Sequence, residues 1–266
     1  MIHLQEVSEV YNKRSIVLWL ISAFKAGFIN SAGFLMAGKF VSHITGFGTQ
    51  AGIAVGHDDY FFGTELLLIP TFFIAGGVLT SWILDRDYKK HQRPPYHLVQ
   101  GLVTILIGLV ICIGGFKMND GFVRFDSDLR YDFGEFAVIS LLCLICGLKN
   151  SLVTWTSYGK IRVTHLTGVA TDLGLNLIRS FTGRQAAPRF REPRIVNGIR
   201  ALTLVSFFAG AFLSAIVFPR LGFISFGIVF IISFGLTLYS FYDGLKSEAI
   251  ESTPSASNLI SVGSLK

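Results

Sequence analysis

Two histidines, each inside the same short polar motif, are the residues of this chain best suited to chemistry. His43 stands in Val41-Ser42-His43-Ile44-Thr45-Gly46, and His165 in Val163-Thr164-His165-Leu166-Thr167-Gly168. Imidazole titrates near neutral pH, so the pair fits proton carrying. No cysteine or carboxylate stands near them at metal-ligand spacing, so no metal site is expected. Thr45 and Thr167 sit where helix N-caps would, followed by Gly46 and Gly168. The positive end of a helix starting there favours an anion or an acceptor group. Thr49 and Gln50 follow in the first copy, Thr171 and Asp172 in the second.

Upstream of each motif lies a second shared element, Gly27-Phe28-Ile29-Asn30-Ser31 and Gly147-Leu148-Lys149-Asn150-Ser151. The asparagine elements are 120 residues apart and the histidine elements 122, so the chain holds two aligned copies. Duplicated polar motifs in an apolar chain point to a transporter-like site at a repeat interface. An amide in an apolar span costs free energy unless it is bonded. Asn30 and Asn150 are therefore expected to bond either the chain breaks or a solute. Lys25 and Lys149 are cations inside apolar stretches, where ionisable groups are functional candidates. Lys149, nearer a membrane face, is expected to snorkel, and Lys25 to lie deeper. Asp172 is the only acid in either post-motif segment, with Lys25 or Lys149 as its expected charge partner.

These residues need elements to hold them. The chain has 266 residues, 51% hydrophobic and only 15% charged, against roughly 25% charged in soluble domains. Six apolar stretches, at about 15–36, 64–84, 97–116, 134–157, 195–218 and 221–243, approach the roughly 20 residues that cross a bilayer. Segments 44–56 and 166–179 are too short to span easily and are read as short helices that re-enter the membrane or lie at its edge. Irregular backbone at membrane depth is tolerated beside protein or a wet cavity, so the breaks ahead of them should line one.

The expected fold is an all-α polytopic membrane protein. Its six transmembrane helices form two inverted three-helix repeats, about 15–116 and 134–243, each with a short broken or re-entrant helix. An odd number of spans per half inverts the second copy. Residues 1–246 make one membrane domain and 247–266 a disordered, serine-rich tail. Most basic residues fall in loops 85–97 and 158–194 and at the two ends; the other side holds Lys39, Lys117, Arg124, Arg130 and Arg220. The positive-inside rule then puts both termini in the cytoplasm, with the acidic loop 117–133 outside. This distribution sets topology or touches anionic lipid rather than nucleic acid. Lys13-Arg14 ahead of the first apolar run does not make it a signal peptide, because no small-x-small cleavage site follows. Cys112, Cys143 and Cys146 all fall in spans and read as packing residues.

The segments 27–31, Phe40 to Gly46 and Thr164 to Gly174 resemble the YoaK-like family of uncharacterised bacterial membrane proteins, over about 15–243. In that family the first segment is usually closer to Gly-Phe-Val-Asp-Ala, and the His-Met-Thr-Gly stretch is usually followed by Asn. Here Asn30 replaces the acid and Phe47 that Asn, which bears on any ion coupling the acid would serve. The resemblance implies a six-span protein of the bacterial inner membrane, and no activity.

The leading functional expectation is a secondary transporter or channel for a small polar or ionic solute. The alternative is a membrane-embedded accessory protein, scaffold or enzyme. No nucleophile–base pair or nucleotide loop appears, so neither a catalytic residue nor a cofactor is expected. The expected partners are the lipid bilayer and a small solute, with a homo-oligomer admissible.

Overall fold

The computed structural model describes residues 11–88, 94–117, 133–182 and 194–252. These residues are helical, with no strand among them. The helices are α1 (Lys13–Ala37), α2 (Ile44–Gly56), α3 (Tyr60–Tyr88), α4 (Tyr96–Lys117), α5 (Phe133–Thr156), α6 (Leu166–Thr182), α7 (Arg194–Leu221) and α8 (Phe226–Ser252). A 3-10 turn, Gly222–Ser225, separates the last two.

Five apolar stretches are long enough to cross a membrane, and the last runs for 51 residues, Ile195–Leu245. At 1.5 Å per residue that stretch would be about 77 Å as one helix, more than twice a bilayer core of about 30 Å. It does not run on. Gly222 takes φ 53°, and the Phe218 ring lies 6.2 Å from the Phe226 ring, although two turns of continuous helix would hold them about 12 Å apart. The chain is therefore a multi-pass, membrane-embedded helical protein. The acidic loop expected outside lies almost entirely beyond the described residues. So does the tail from 253 on, while 247–252, expected to be disordered, continue α8 as helix.

Local chemistry explains the helix ends. The Asn12 side chain accepts from the Ser15 amide at 2.8 Å and caps α1. Gly38, at φ 63°, closes its other end with its amide on the Phe34 carbonyl. Asp59 accepts from the Phe62 amide at 3.1 Å at the start of α3. After α5, Tyr158 and Gly159 take positive φ and turn the chain, and the Ser157 hydroxyl accepts from the Ile161 amide at 3.0 Å. Inside the apolar helices, Thr80, Thr104, Thr203 and Thr237 return their hydroxyls to the carbonyl four residues back. That satisfies a polar group where no water can.

The packing is reciprocal between the two halves. Helix α1 packs chiefly on α7, and α3 on α5; α4 lies on α8. Both main crossings are made by glycines. A Cβ on Gly27 would overlap the Phe207 carbonyl oxygen, and one on Gly210 the Phe24 carbonyl oxygen. In the other crossing, a Cβ on Gly147 would overlap the Phe73 carbonyl, and one on Gly76 would stand 2.5 Å from the Leu144 carbonyl. Backbone meets backbone at both places, as small residues allow in membranes. The main core runs through the middles of α1, α3, α4 and α5 and the start of α8.

Candidate functional site

Both post-motif segments are helices, and the chain leading into each is anchored by buried residues, Val41 ahead of the first and Val163 ahead of the second. After α1 the chain turns inward. Val41 packs against Gly33, and its carbonyl accepts from the Cys143 thiol at 3.0 Å, near the middle of α5. Helix α2 then returns along the start of α3, with Val55 and Ala54 against Gly63. After α5, Ile161 and Val163 are buried with Trp19, Ala23 and Ala26 of α1 and with Ile199 and Phe207 of α7. The His165 ring lies 6.4 Å from that of Phe73, midway along α3.

The two breaks meet. A cavity of about 340 Å³ is lined by Ser42, His43, Ile44 and Thr45 from the first copy, and by Thr164, His165, Leu166 and Thr167 from the second. Asn30, Phe40 and Phe207 complete it. The Gly27–Phe207 contact beside it lies about 21 Å along α1 and 20 Å along α7, near the middle of each. Asn30 accepts from both the Ser42 amide (3.2 Å) and the Ser42 hydroxyl (2.9 Å), tying the first break to α1. The Phe40 ring stands edge-on to His43 at 6.3 Å.

Thr45 and Thr167 do not cap their helices, contrary to expectation. They are the second residues of α2 and α6. The cap of α2 is His43, whose side chain makes no capping bond, so no side chain satisfies the first-turn amides there. In α6 the His165 carbonyl accepts from the Val169 amide, one residue ahead of the helix. The positive ends of two helices thus converge on one cavity, suited to a ligand with acceptor atoms. Partial burial of the ring, and then Arg162, hold the His165 imidazole below the ordinary histidine value.

Other expected site residues lie elsewhere. Thr49 and Thr171 are exposed and donate to the Thr45 and Thr167 carbonyls of their own helices. Gly46, Gln50, Gly168 and Asp172 do not line the cavity. Asp172 pairs with neither Lys25 nor Lys149. It meets Arg200 of α7 at 2.8 Å, with its own side chain 50% exposed and that of Arg200 only 6%. Arg200 also donates to Asn197 (3.4 Å), which accepts from Asn176 at 3.1 Å, so this network ties α6 to α7. Lys149 does not snorkel; it is 2% exposed. Asn150, the counterpart of Asn30, lines a different cavity, of about 310 Å³, with Thr80, Thr154 and Arg162. Its side-chain oxygen has no partner, nor has the hydroxyl of Thr164, the counterpart of Ser42. Sequence reasoning missed Ser42, Thr164 and Phe207. The first two could have been found, since a hydroxyl precedes the histidine in both copies. No group of three metal-ligating side chains occurs among the described residues.

One family, described as a protein of unknown function (DUF1275), matches residues 18–239, most of the chain. The chain belongs to that family. The match reaches into all six long helices and covers both motif copies, and it agrees with a reading as an uncharacterised membrane protein. Neither the curated proteins nor the solved structures contain a match.

Proposed function

We propose that this DUF1275 member is a secondary transporter or channel, moving a small polar or ionic solute across the membrane through the cavity between its two His-Ile/Leu-Thr-Gly segments. The fold behind this reading has six spans in two inverted three-helix repeats, with α2 and α6 as re-entrant helices. Both termini face the cytoplasm, most naturally at the bacterial inner membrane.

One observation carries the proposal: two motif copies 122 residues apart line one cavity near the middle of α1 and α7. Paired helix breaks at mid-depth between repeats are how membrane transporters form a polar site without exposing backbone to lipid. The reciprocal glycine crossings support the repeat, since an inverted pair exchanges α1–α7 with α5–α3. The break in the last apolar stretch supports counting it twice. The lining chemistry is two imidazoles, hydroxyls, one amide and two helix N-termini, which favours a solute rich in acceptors.

The test is flux. Purified protein in liposomes is screened with neutral polyols, amino acids, small carboxylates and inorganic ions. At least one class should enter faster than into empty liposomes, and Thr45→Trp, which fills the cavity from an exposed position, should stop it. No flux for any class, or flux indifferent to Thr45→Trp in a variant that melts normally, overturns the proposal.

A further inference from the structure

Lys25 in α1 and Lys149 in α5 take no part in the cavity described above. Lys25 is 0% exposed and Lys149 2%. Neither ammonium nitrogen has a hydrogen-bond partner. They sit on two helices that pack together. At 1.5 Å per residue they stand about 18 Å along α1 and 24 Å along α5, well inside both helices. Three of the described acids are paired with other residues: Asp172 with Arg200, Asp243 with Arg14, and Asp85 with Ser81 and Trp155. Two buried lysines on packed helices thus offer N–H donors at membrane depth, and neither nitrogen is bonded to an acceptor among the described residues.

One helical turn before Lys25 is Ser22, and one turn after Lys149 is Val153. Both line a second cavity, of about 260 Å³, with Gln100, Trp19, Arg14 and Asp243. Gln100 is 8% exposed, and its side-chain oxygen is unbonded. Arg14 and Asp243 pair at 2.7 Å on the wall of the same cavity. A partly polar cavity thus ends one turn short of two unpartnered lysines.

We propose that Lys25 and Lys149 together form a binding site for one small monovalent anion, of halide or nitrate size, reached from the cavity walled by Ser22, Gln100 and Val153. The anion turns a repulsion into a bridge, because each ammonium donates to it and the charge between them is opposite to both. The preference for a small monovalent ion follows from the complete burial of the lysines, because a halide or nitrate costs far less to take out of water than a divalent sulfate. The site is separate from the proposed solute cavity and does not depend on transport.

The experiment is a melting curve of the purified full chain in lipid nanodiscs, at constant ionic strength. The probes are the sodium salts of chloride, nitrate and gluconate at about 100 mM and of sulfate at about 33 mM. A ligand of the folded state raises the midpoint by mass action. Chloride and nitrate should raise it by several degrees over gluconate, and sulfate should not. Lys25→Met and Lys149→Met should each abolish the shift. Apolar replacement of a buried charge commonly preserves or raises stability, so these variants should fold. Broadening of the chloride NMR line by the wild-type protein gives a reading that needs no variant. Equal midpoints in chloride and gluconate, with no line broadening, mean that the lysines are held as free amines and overturn the proposal. So does a shift that survives Lys25→Met/Lys149→Met, or one that is lost in His43→Ala, which would place the anion in the other cavity.

Discussion

Asn30 holds Ser42 twice, through the Ser42 amide at 3.2 Å and its hydroxyl at 2.9 Å, and so fixes the chain break ahead of α2 to the middle of α1. The corresponding pair in the second half, Asn150 and Thr164, makes no such bond, and both side-chain oxygens are buried without a partner. The same residue types thus do different work in the two halves.

That difference is measurable. Asn30→Ala strands the Ser42 amide and hydroxyl in a site that is 9% exposed, and should cost about 1–3 kcal/mol. Asn150→Ala removes an oxygen that bonds nothing, so its cost should fall clearly below that of Asn30→Ala. Thermal melts of the two variants in one detergent check the order; equal losses would contradict the asymmetry.

The glycine crossings predict a second pattern. At Gly27 and Gly147 an added Cβ meets a carbonyl oxygen of the facing helix, and backbone cannot yield as a side chain can. Gly27→Ala and Gly147→Ala should each destabilise by about 1–3 kcal/mol, as overpacking does. Gly48 and Gly115 have open space at the Cβ position. Alanine there should be neutral or stabilise by up to about 1 kcal/mol, through helix propensity. Melting midpoints of the four variants should fall into these two groups.

The long helices and the two breaks were legible in the sequence because hydrophobic runs and turn residues are local signals. The segment expected over 44–56 is helix α2 to the residue, bounded by Gly38 ahead and the positive-φ Asp58 behind. What the sequence hid depends on which helix faces which. Asp172 was given a lysine partner by sign alone, yet Arg200 stands opposite because α6 packs on α7. Thr49 and Thr171 repeat in both copies for a local reason, a hydroxyl returned to the carbonyl four residues back, and not for a shared cavity. Phe207 gave no signal, since one ring in a phenylalanine-rich chain is visible as lining only once the Gly27 crossing is known.

The Asp172–Arg200 pair predicts a third result. Asp172→Asn takes the carboxylate away from the buried Arg200 guanidinium, which keeps its bond to the Asn197 side-chain oxygen. Breaking a fully buried pair costs about 3–5 kcal/mol, but Asp172 is half exposed, so solvent screening lowers the expectation to about 1–2 kcal/mol. Arg200→Met should cost less than Asp172→Asn, because it leaves an exposed carboxylate in place of a buried cation. A double-mutant cycle read by melting checks this, and a coupling near zero would remove the pair from the stability of α6 on α7.

Topology gives a fourth. Arg14 and Asp243 meet at 2.7 Å, so the start of α1 and the end of α8 lie on one side. In the proposed six-span fold, single cysteines at the exposed Tyr158 and at Arg14 should label from that same side in a cysteine-free background, and one at the exposed Tyr60 from the opposite side. Labelling of the Arg14 and Tyr60 positions from one side, with Tyr158 from the other, would require α2 and α6 to cross, and the inverted arrangement would fail.

The last prediction follows from His165. Desolvation of its ring, and then Arg162, lower its pKa in the folded protein below the ordinary value near 6.5. An unfolded chain therefore takes up the proton first as pH falls, and between the two values the unfolded state binds more protons than the folded one. Stability then rises with pH across that window. The contribution is complete above about pH 6.5 and is lost as pH falls through the lowered folded value. His165→Gln keeps a polar side chain of similar reach but cannot titrate. Melting midpoints of the wild type should fall more steeply than those of His165→Gln as pH drops from about 6.5, and the two curves should run parallel above it. Parallel curves throughout would mean that His165 is protonated as easily in the fold as out of it, which the Arg162 charge and the half-covered ring argue against.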